Sequence, residues 1–155
     1  MGSPFEMNKA AMRSLAEQDK WQKRQERTAR LPLVQGVQIL LKALNEEWLG
    51  RTGMIEIEPR EADDDPPVIR LGWESIGKKR FSRKMEEGIG KPEMPCYLRV
   101  GIESDVGGDL TYRLSANYSG EEGGEKVIDH VGPGLSKLKE ALRVEQMNVR
   151  RSLLS

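Results

Sequence analysis

The stretch CYLRVGIESDVGGDLTYRLSANY, residues 96–118, decides the fold. In its two halves, 96–103 and 110–118, apolar residues alternate with polar ones, which is the pattern of a strand with one buried face. Between the halves, residues 105–109 (DVGGD) have the Asp and Gly content of hairpin turns. The stretch therefore predicts two antiparallel strands joined by a short connection.

The same two-residue period returns on both sides of this hairpin. It covers residues 55–57 and 69–73 before the hairpin, and a shorter strand is predicted over 126–131 after it, so we expect four to five strands in all. Short connections between successive strands favour an antiparallel meander. The connection at 75–95 is longer than is usual inside a compact domain, and we expect one short helical turn at 82–87.

Helical periodicity flanks the strands. Apolar residues between 33 and 48 recur at helical spacing, and Gly50 predicts the end of that helix. A second helix is predicted over 134–152. Glu145 interrupts its apolar side, and we expect the helix to fray beyond Met147. The fold class is therefore α+β, an antiparallel meander covered on one face by a helix from the N-terminal half and by a C-terminal helix.

The 155 residues divide into three predicted parts. We interpret residues 1–6 (MGSPFE) as an expression leader, with the natural start near Met7. Residues 7–31 are rich in Lys, Arg, Gln and Glu and lack Gly and Pro, which predicts a charged helical or flexible arm. Residues 32–155 form a single α+β domain, which suits a chain that is 37% hydrophobic and 32% charged.

Charge and cysteine content narrow the function classes. The chain has 25 basic and 25 acidic residues, so binding to nucleic acid requires a local basic patch. Its single cysteine, Cys96, excludes an intramolecular disulfide and a cysteine-rich metal site, and favours a reducing intracellular compartment, the cytoplasm. No apolar run approaches the roughly 20 residues that span a bilayer, so we expect no membrane association.

The sequence contains no recognisable catalytic, metal or cofactor motif. His130 is the only histidine, and the cysteine that could pair with it lies on the predicted core face of its strand. The acidic run 61–65 lacks the spacing of a calcium loop, and residues 88–91 (GIGK) lack the rest of a phosphate-binding loop. We therefore predict no catalytic residues, no metal and no cofactor, and a protein that is not an enzyme.

The first functional hypothesis is a protein–protein interaction domain, which would serve as an adaptor, a chaperone-like factor or a complex subunit. Arg70, Arg99 and Arg113 fall on the polar face of the predicted sheet, where they could clamp carboxylates or pair with nearby glutamates. Trp21 and Leu153, on the two terminal helices, are candidates for docking into a partner. These five residues form the predicted partner-binding set. A homo-oligomer remains open.

The alternative is a nucleic-acid-binding protein with two basic clusters. The first occupies the 78–84 loop and comprises Lys78, Lys79, Arg80, Phe81, Arg83 and Lys84. The second is the basic 20–30 arm, beside Trp21. Cations hold phosphates and aromatic rings stack on bases. Acidic residues are interleaved with the arm and follow the loop at once, a pattern more typical of solvated surface or protein contact.

Overall fold

The structure is a computed structural model that describes residues 4–62, 64–75, 94–104 and 110–154, with side chains from residue 15 onward except that of Ser104. Its helices and strands follow in chain order: α1 (Pro4–Arg30), α2 (Pro32–Leu49), β1 (Met54–Ile57), β2 (Val68–Trp73), β3 (Cys96–Ser104), β4 (Leu110–Asn117), β5 (Lys126–Val131), α3 (Leu135–Val144) and α4 (Gln146–Leu154). The predicted helical turn at 82–87 lies outside the described residues.

The five strands form one sheet in the order β1-β2-β3-β4-β5, and every neighbouring pair is antiparallel. The predicted meander and the α+β class are confirmed. In the central pairs, Arg70 lies opposite Arg99, and Gly101 lies opposite Arg113. A register shift between Leu114 and Ser115 places a bulge where β4 meets β5.

One face of the sheet carries the core. Leu71, Trp73, Leu98 and Leu114 are fully buried there. The helices bring further buried apolar residues into the same cluster: Val34, Val37, Leu41, Leu44, Trp48, Leu138, Leu142 and Val149. Each such side chain contributes about 1.5–3 kcal/mol when it leaves water, so the helices are held mainly by this face.

Glycines end α2 and start the sheet. Gly50 adopts a left-handed conformation with φ 56°, and its backbone N–H bonds to the Asn45 carbonyl. The Asn45 side chain then accepts from the Gly53 N–H at 2.9 Å and donates to the Gly53 carbonyl at 3.2 Å. A Cβ on Gly53 would lie 2.9 Å from the backbone oxygen of Gly72, so glycine permits this close approach.

Residues 7–30 of the predicted arm belong to α1, and polar contacts dock the last two turns of this helix. Arg24 donates to the Arg60 and Glu61 carbonyls at 3.1 and 2.6 Å, and Gln25 donates to the Ile57 carbonyl. Thr28 is buried, although the sequence offers no apolar stripe there. Specific hydrogen bonds therefore fix this end of α1 against the loop between β1 and β2.

The prediction of one C-terminal helix that frays beyond Met147 is wrong. The helix divides at Glu145, whose carboxylate accepts from the Tyr118 hydroxyl at 2.8 Å and from the Asn148 amide at 3.2 Å. Burial, followed by the hydrogen bond and charge of Glu145, raises the pKa of Tyr118 well above its usual value. The residue that interrupts the apolar stripe is thus a buried hydrogen-bond acceptor.

The last helix, α4, is held to the sheet through Ser152. The indole N–H of Trp73 donates to the Ser152 hydroxyl at 3.0 Å, and that hydroxyl donates to the Tyr118 carbonyl at 2.7 Å. Val149 packs in the core one turn earlier. These contacts keep α4 helical as far as Leu154.

Candidate partner-binding face of the sheet

The sheet has a second face, opposite the core, which we call the open face. Because side chains alternate along a strand, the residues between the core positions point to this side. Arg70, Arg99 and Arg113 all lie there, and none of the described open-face side chains belongs to the apolar core. The open face is therefore a surface outside the core that carries all three predicted arginines.

Arg99 occupies the centre of the open face and is fixed by two glutamates. Its Nε and Nη2 donate to the two carboxylate oxygens of Glu58 at 2.7 and 2.6 Å, and its Nη1 reaches Glu125 at 3.2 Å. The hydrogen bond to Glu58 is the strongest influence on the pKa of Arg99 and raises it. A guanidinium held by both edges of its fork is positioned rigidly.

Arg70 and Tyr97 form a second fixed group beside Arg99. The Arg70 guanidinium lies 4.2 Å from the centre of the Tyr97 ring and donates to the Met94 carbonyl at 3.0 Å. The Tyr97 hydroxyl donates to Glu125 at 2.5 Å. Burial, with help from the hydrogen bond and charge of Glu125, raises the pKa of Tyr97 to about 12.

Glu125 joins the two groups. Burial opposes its ionisation, but hydrogen bonds from Tyr97, Ser115 and Arg99 and the charge of Arg99 outweigh burial and lower its pKa. The carboxylate is therefore ionised at neutral pH and holds both neighbours in place. Much of the open face is an internally bonded polar layer.

A groove of about 290 Å³ lies beside this layer. Its lining comes from β2, β3, β4 and the loop after β1, and consists of Glu58, Pro59, Arg60, Asp65, Pro66, Val68, Arg99, Gly101, Glu103, Arg113 and Ser115. Gly101 has no side chain to fill the space between Val68 and Arg113. The glycine therefore leaves a depression between two strands.

Two charged residues of the groove, Arg113 and Glu103, differ from the others in having no bonded partner among the described residues. Arg113 is exposed and Glu103 is half-buried, and neither side chain forms a hydrogen bond or an ion pair with any residue that the structure describes. Arg113 and Glu103 do not pair with each other. Both groups are available to a ligand.

The other predicted partner-binding residues lie on helices. Trp21 is 45% exposed on α1, and Leu15 on the same helix is 64% exposed. Leu153 is half-buried and packs against the core, whereas Leu154 is 72% exposed. The structure thus gathers the three arginines on one face and leaves Trp21 and Leu153 outside that group.

The basic residues of the alternative hypothesis are described only in part. The 78–84 loop, with Lys78, Lys79, Arg80, Phe81, Arg83 and Lys84, lies outside the described residues. In the 20–30 arm, Lys23 pairs with Asp19 at 3.0 Å, and Arg24 is taken up by the carbonyls that dock α1. These contacts occupy two of the arm's cations.

Sequence reasoning missed Glu58, Gly101 and Glu125. The two glutamates lie 41 and 26 residues from Arg99 along the chain, so no local pattern connects them to it. Gly101 did carry a signal, since an isolated glycine inside an alternating strand often marks a depression or a close approach.

A cysteine–histidine pair does not form. Cys96 is buried in the core with its thiol directed to the Tyr118 carbonyl at 3.6 Å, while His130 is exposed opposite Arg113 on the other side of the sheet. Within the described ranges, no three His, Cys, Asp or Glu side chains are grouped to hold a metal ion. No described helix is both long and apolar enough to cross a bilayer.

Comparison with known proteins identifies no relative from which a role could be transferred. No protein-family model, no curated protein and no solved structure matches this chain. Because a fold of this class serves many functions, the function must be argued from the open face and its groove.

Proposed function

We propose that this chain is a protein–protein interaction domain, an adaptor, chaperone-like factor or complex subunit, that binds its partner on the open face of the sheet. The observation that carries the proposal is a groove with two unpartnered charged groups beside a rigid polar layer. Rigid groups lose little freedom on binding, and unpartnered charges gain from complementary ones.

The edges of the sheet support the choice of the face. At β1 the Ile57 carbonyl is taken by Gln25 of α1. The other edge strand, β5, adjoins a bulge and carries the charged residues Lys126 and Asp129. Such features discourage the addition of a further strand, so the face is the better surface for a partner.

The face also has an apolar margin. Val127 lies opposite Ser115 on the open side and is 46% exposed, which is large for an apolar side chain in a sheet. Interfaces commonly combine an apolar contact with oriented polar groups. Val127, Arg113 and the groove together give the partner both kinds of contact.

Matched substitutions of two exposed apolar residues test the proposal. Val127→Asp changes the open face, and Ile39→Asp makes the same change on α2, where Ile39 is 68% exposed. In affinity capture from nuclease-treated native extract, we expect Val127→Asp to reduce recovery of a stoichiometric protein about tenfold, equivalent to about 1.4 kcal/mol. Ile39→Asp should leave recovery unchanged.

Two outcomes would contradict the proposal. Equal recovery with both variants would place the partner elsewhere on the molecule. Recovery of nucleic acid that nuclease or moderate salt removes would favour the alternative, because phosphate contacts weaken steeply with salt. The 78–84 loop and the 20–30 arm would then be the segments to change.

A further inference from the structure

We infer that the groove over Gly101 binds an extended segment of a protein partner in which an acidic and a basic side chain lie two residues apart, the acid against Arg113 and the base against Glu103. The inference rests on the proposed function and names the chemistry of the segment that the open face recognises.

The charges of the groove define the complementary ligand. Among the residues that the structure describes, six ionisable side chains line it, three basic and three acidic, and their formal charges cancel. Arg99 and Glu58 neutralise each other, and Arg60 and Asp65 bond within the fold. Arg113 and Glu103 are left as one cation and one anion, and a partner with one of each sign satisfies both.

The spacing of the two groups fits an extended chain. Gly101 lies opposite Arg113, and Glu103 lies opposite Thr111, so Arg113 and Glu103 are diagonal neighbours across two strands. Diagonal neighbours are separated by about 7–8 Å. Alternate residues of a strand lie about 6.8 Å apart on the same side, so an acid and a base at that interval reach both groups.

Gly101 provides the room for this segment. A Cβ at this position would lie 3.8 Å from the Cβ of Arg113 and 3.9 Å from Val68, which are ordinary contact distances. The fold therefore tolerates a side chain here. The absence of one leaves the groove open, and a larger residue should close it without disturbing the sheet.

A tripeptide probe tests the inference on the whole chain. Acetyl-Glu-Ala-Lys-amide is added to protein labelled with ¹⁵N at arginine, and the side-chain Nε–H signals are followed by NMR. We expect a saturable shift of the Arg113 signal, with affinity in the millimolar range, because a short probe makes few contacts. Arg150, exposed on α4, is the internal control and should not shift. Acetyl-Gln-Ala-Gln-amide should shift neither.

Two variants make the test specific. Gly101→Leu should abolish the Arg113 shift while leaving the far-UV spectrum unchanged. Arg113→Glu should abolish binding of the original probe and create binding of acetyl-Lys-Ala-Lys-amide, which can be followed on the peptide's own signals. The preferred peptide changes because the variant presents two carboxylates, at positions 103 and 113, at the spacing where the unchanged protein presents one carboxylate and one guanidinium.

The inference is overturned by an absent or non-saturable shift at Arg113, by an equal shift at Arg150, or by undiminished binding to Gly101→Leu. Each of these results leaves the proposed function intact if Val127→Asp still loses the captured partner. If Val127→Asp instead recovers the partner as well as the unchanged protein does, while the tripeptide still shifts Arg113 specifically, the groove binds peptides but the open face is not the surface that binds the captured partner.

Discussion

Replacing Trp73 by alanine should lower the free energy of unfolding by about 3–5 kcal/mol, a large part of the stability of a domain of this size. Trp73 is fully buried at the end of β2, and its indole N–H donates to Ser152 of α4. The substitution removes the largest fully buried side chain and the donor that ties the C-terminal helix to the sheet. Urea unfolding followed by far-UV circular dichroism measures the change.

Two further variants separate packing from hydrogen bonding. Trp73→Phe keeps much of the apolar volume but loses the donor, and we expect a smaller cost of about 1–2 kcal/mol. Trp21→Ala removes the same residue type from the exposed side of α1 and should change stability by less than about 0.5 kcal/mol. A similar loss from Trp21→Ala and Trp73→Ala would contradict the placement of the core.

Replacing Arg60 by alanine should release the end of α1 and cost about 2–3 kcal/mol. Arg60 is only 9% exposed; it donates to the Thr28 hydroxyl at 2.5 Å and to the Asp65 carbonyl at 3.1 Å. Its guanidinium therefore joins α1 to the loop that forms one wall of the groove. We expect faster hydrogen exchange at the amides of residues 24–30, together with a lower urea midpoint.

Arg51→Ala is the matched control. Arg51 is mostly exposed and makes one ion pair with Glu46 at 3.5 Å, so its loss should cost less than about 0.5 kcal/mol. Arg60→Lys should not restore the exchange protection, because an ammonium cannot reproduce the two directions of the guanidinium fork. Unchanged protection of residues 24–30 in Arg60→Ala would show that α1 is held by other contacts.

The sheet was predictable because its pattern is local. The alternation in 96–103 and 110–118 establishes which residues point to the core and which point away, so the shared face of Arg70, Arg99 and Arg113 follows from the strand period alone. The helix over 33–48 follows in the same way from its apolar spacing. In both cases neighbours in sequence carry the signal.

The parts that sequence reasoning missed depend on distant partners. Glu145 looked like an interruption of a helix because its partner, the hydroxyl of Tyr118, is 27 residues away. The docking of α1 was missed for the same reason, since Thr28 and the Arg60 that bonds to it are 32 residues apart in the sequence. Polar residues in such places are satisfied by tertiary contacts, which a periodicity analysis cannot detect.

For the same reason, the sequence predicts which residues lie on the face of the candidate site but not which of them already have partners. The strand period places Arg99 and Arg113 on one face but does not distinguish them. Only the folded structure shows that Glu58 and Glu125 pair with Arg99. It also shows that no described residue pairs with the side chain of Arg113. The difference between an internally bonded arginine and one open to a ligand is a property of the folded sheet.

Site-specific photocrosslinking tests the central claim, that the partner binds the open face, most directly. A benzophenone side chain is placed at Thr111 on the open face, and in a matched protein at Lys139 on the exposed side of α3. Both proteins are irradiated in nuclease-treated native extract. The account predicts a discrete protein adduct from position 111 and none from position 139. An adduct from position 139 alone, or adducts of equal yield from both positions, would contradict it.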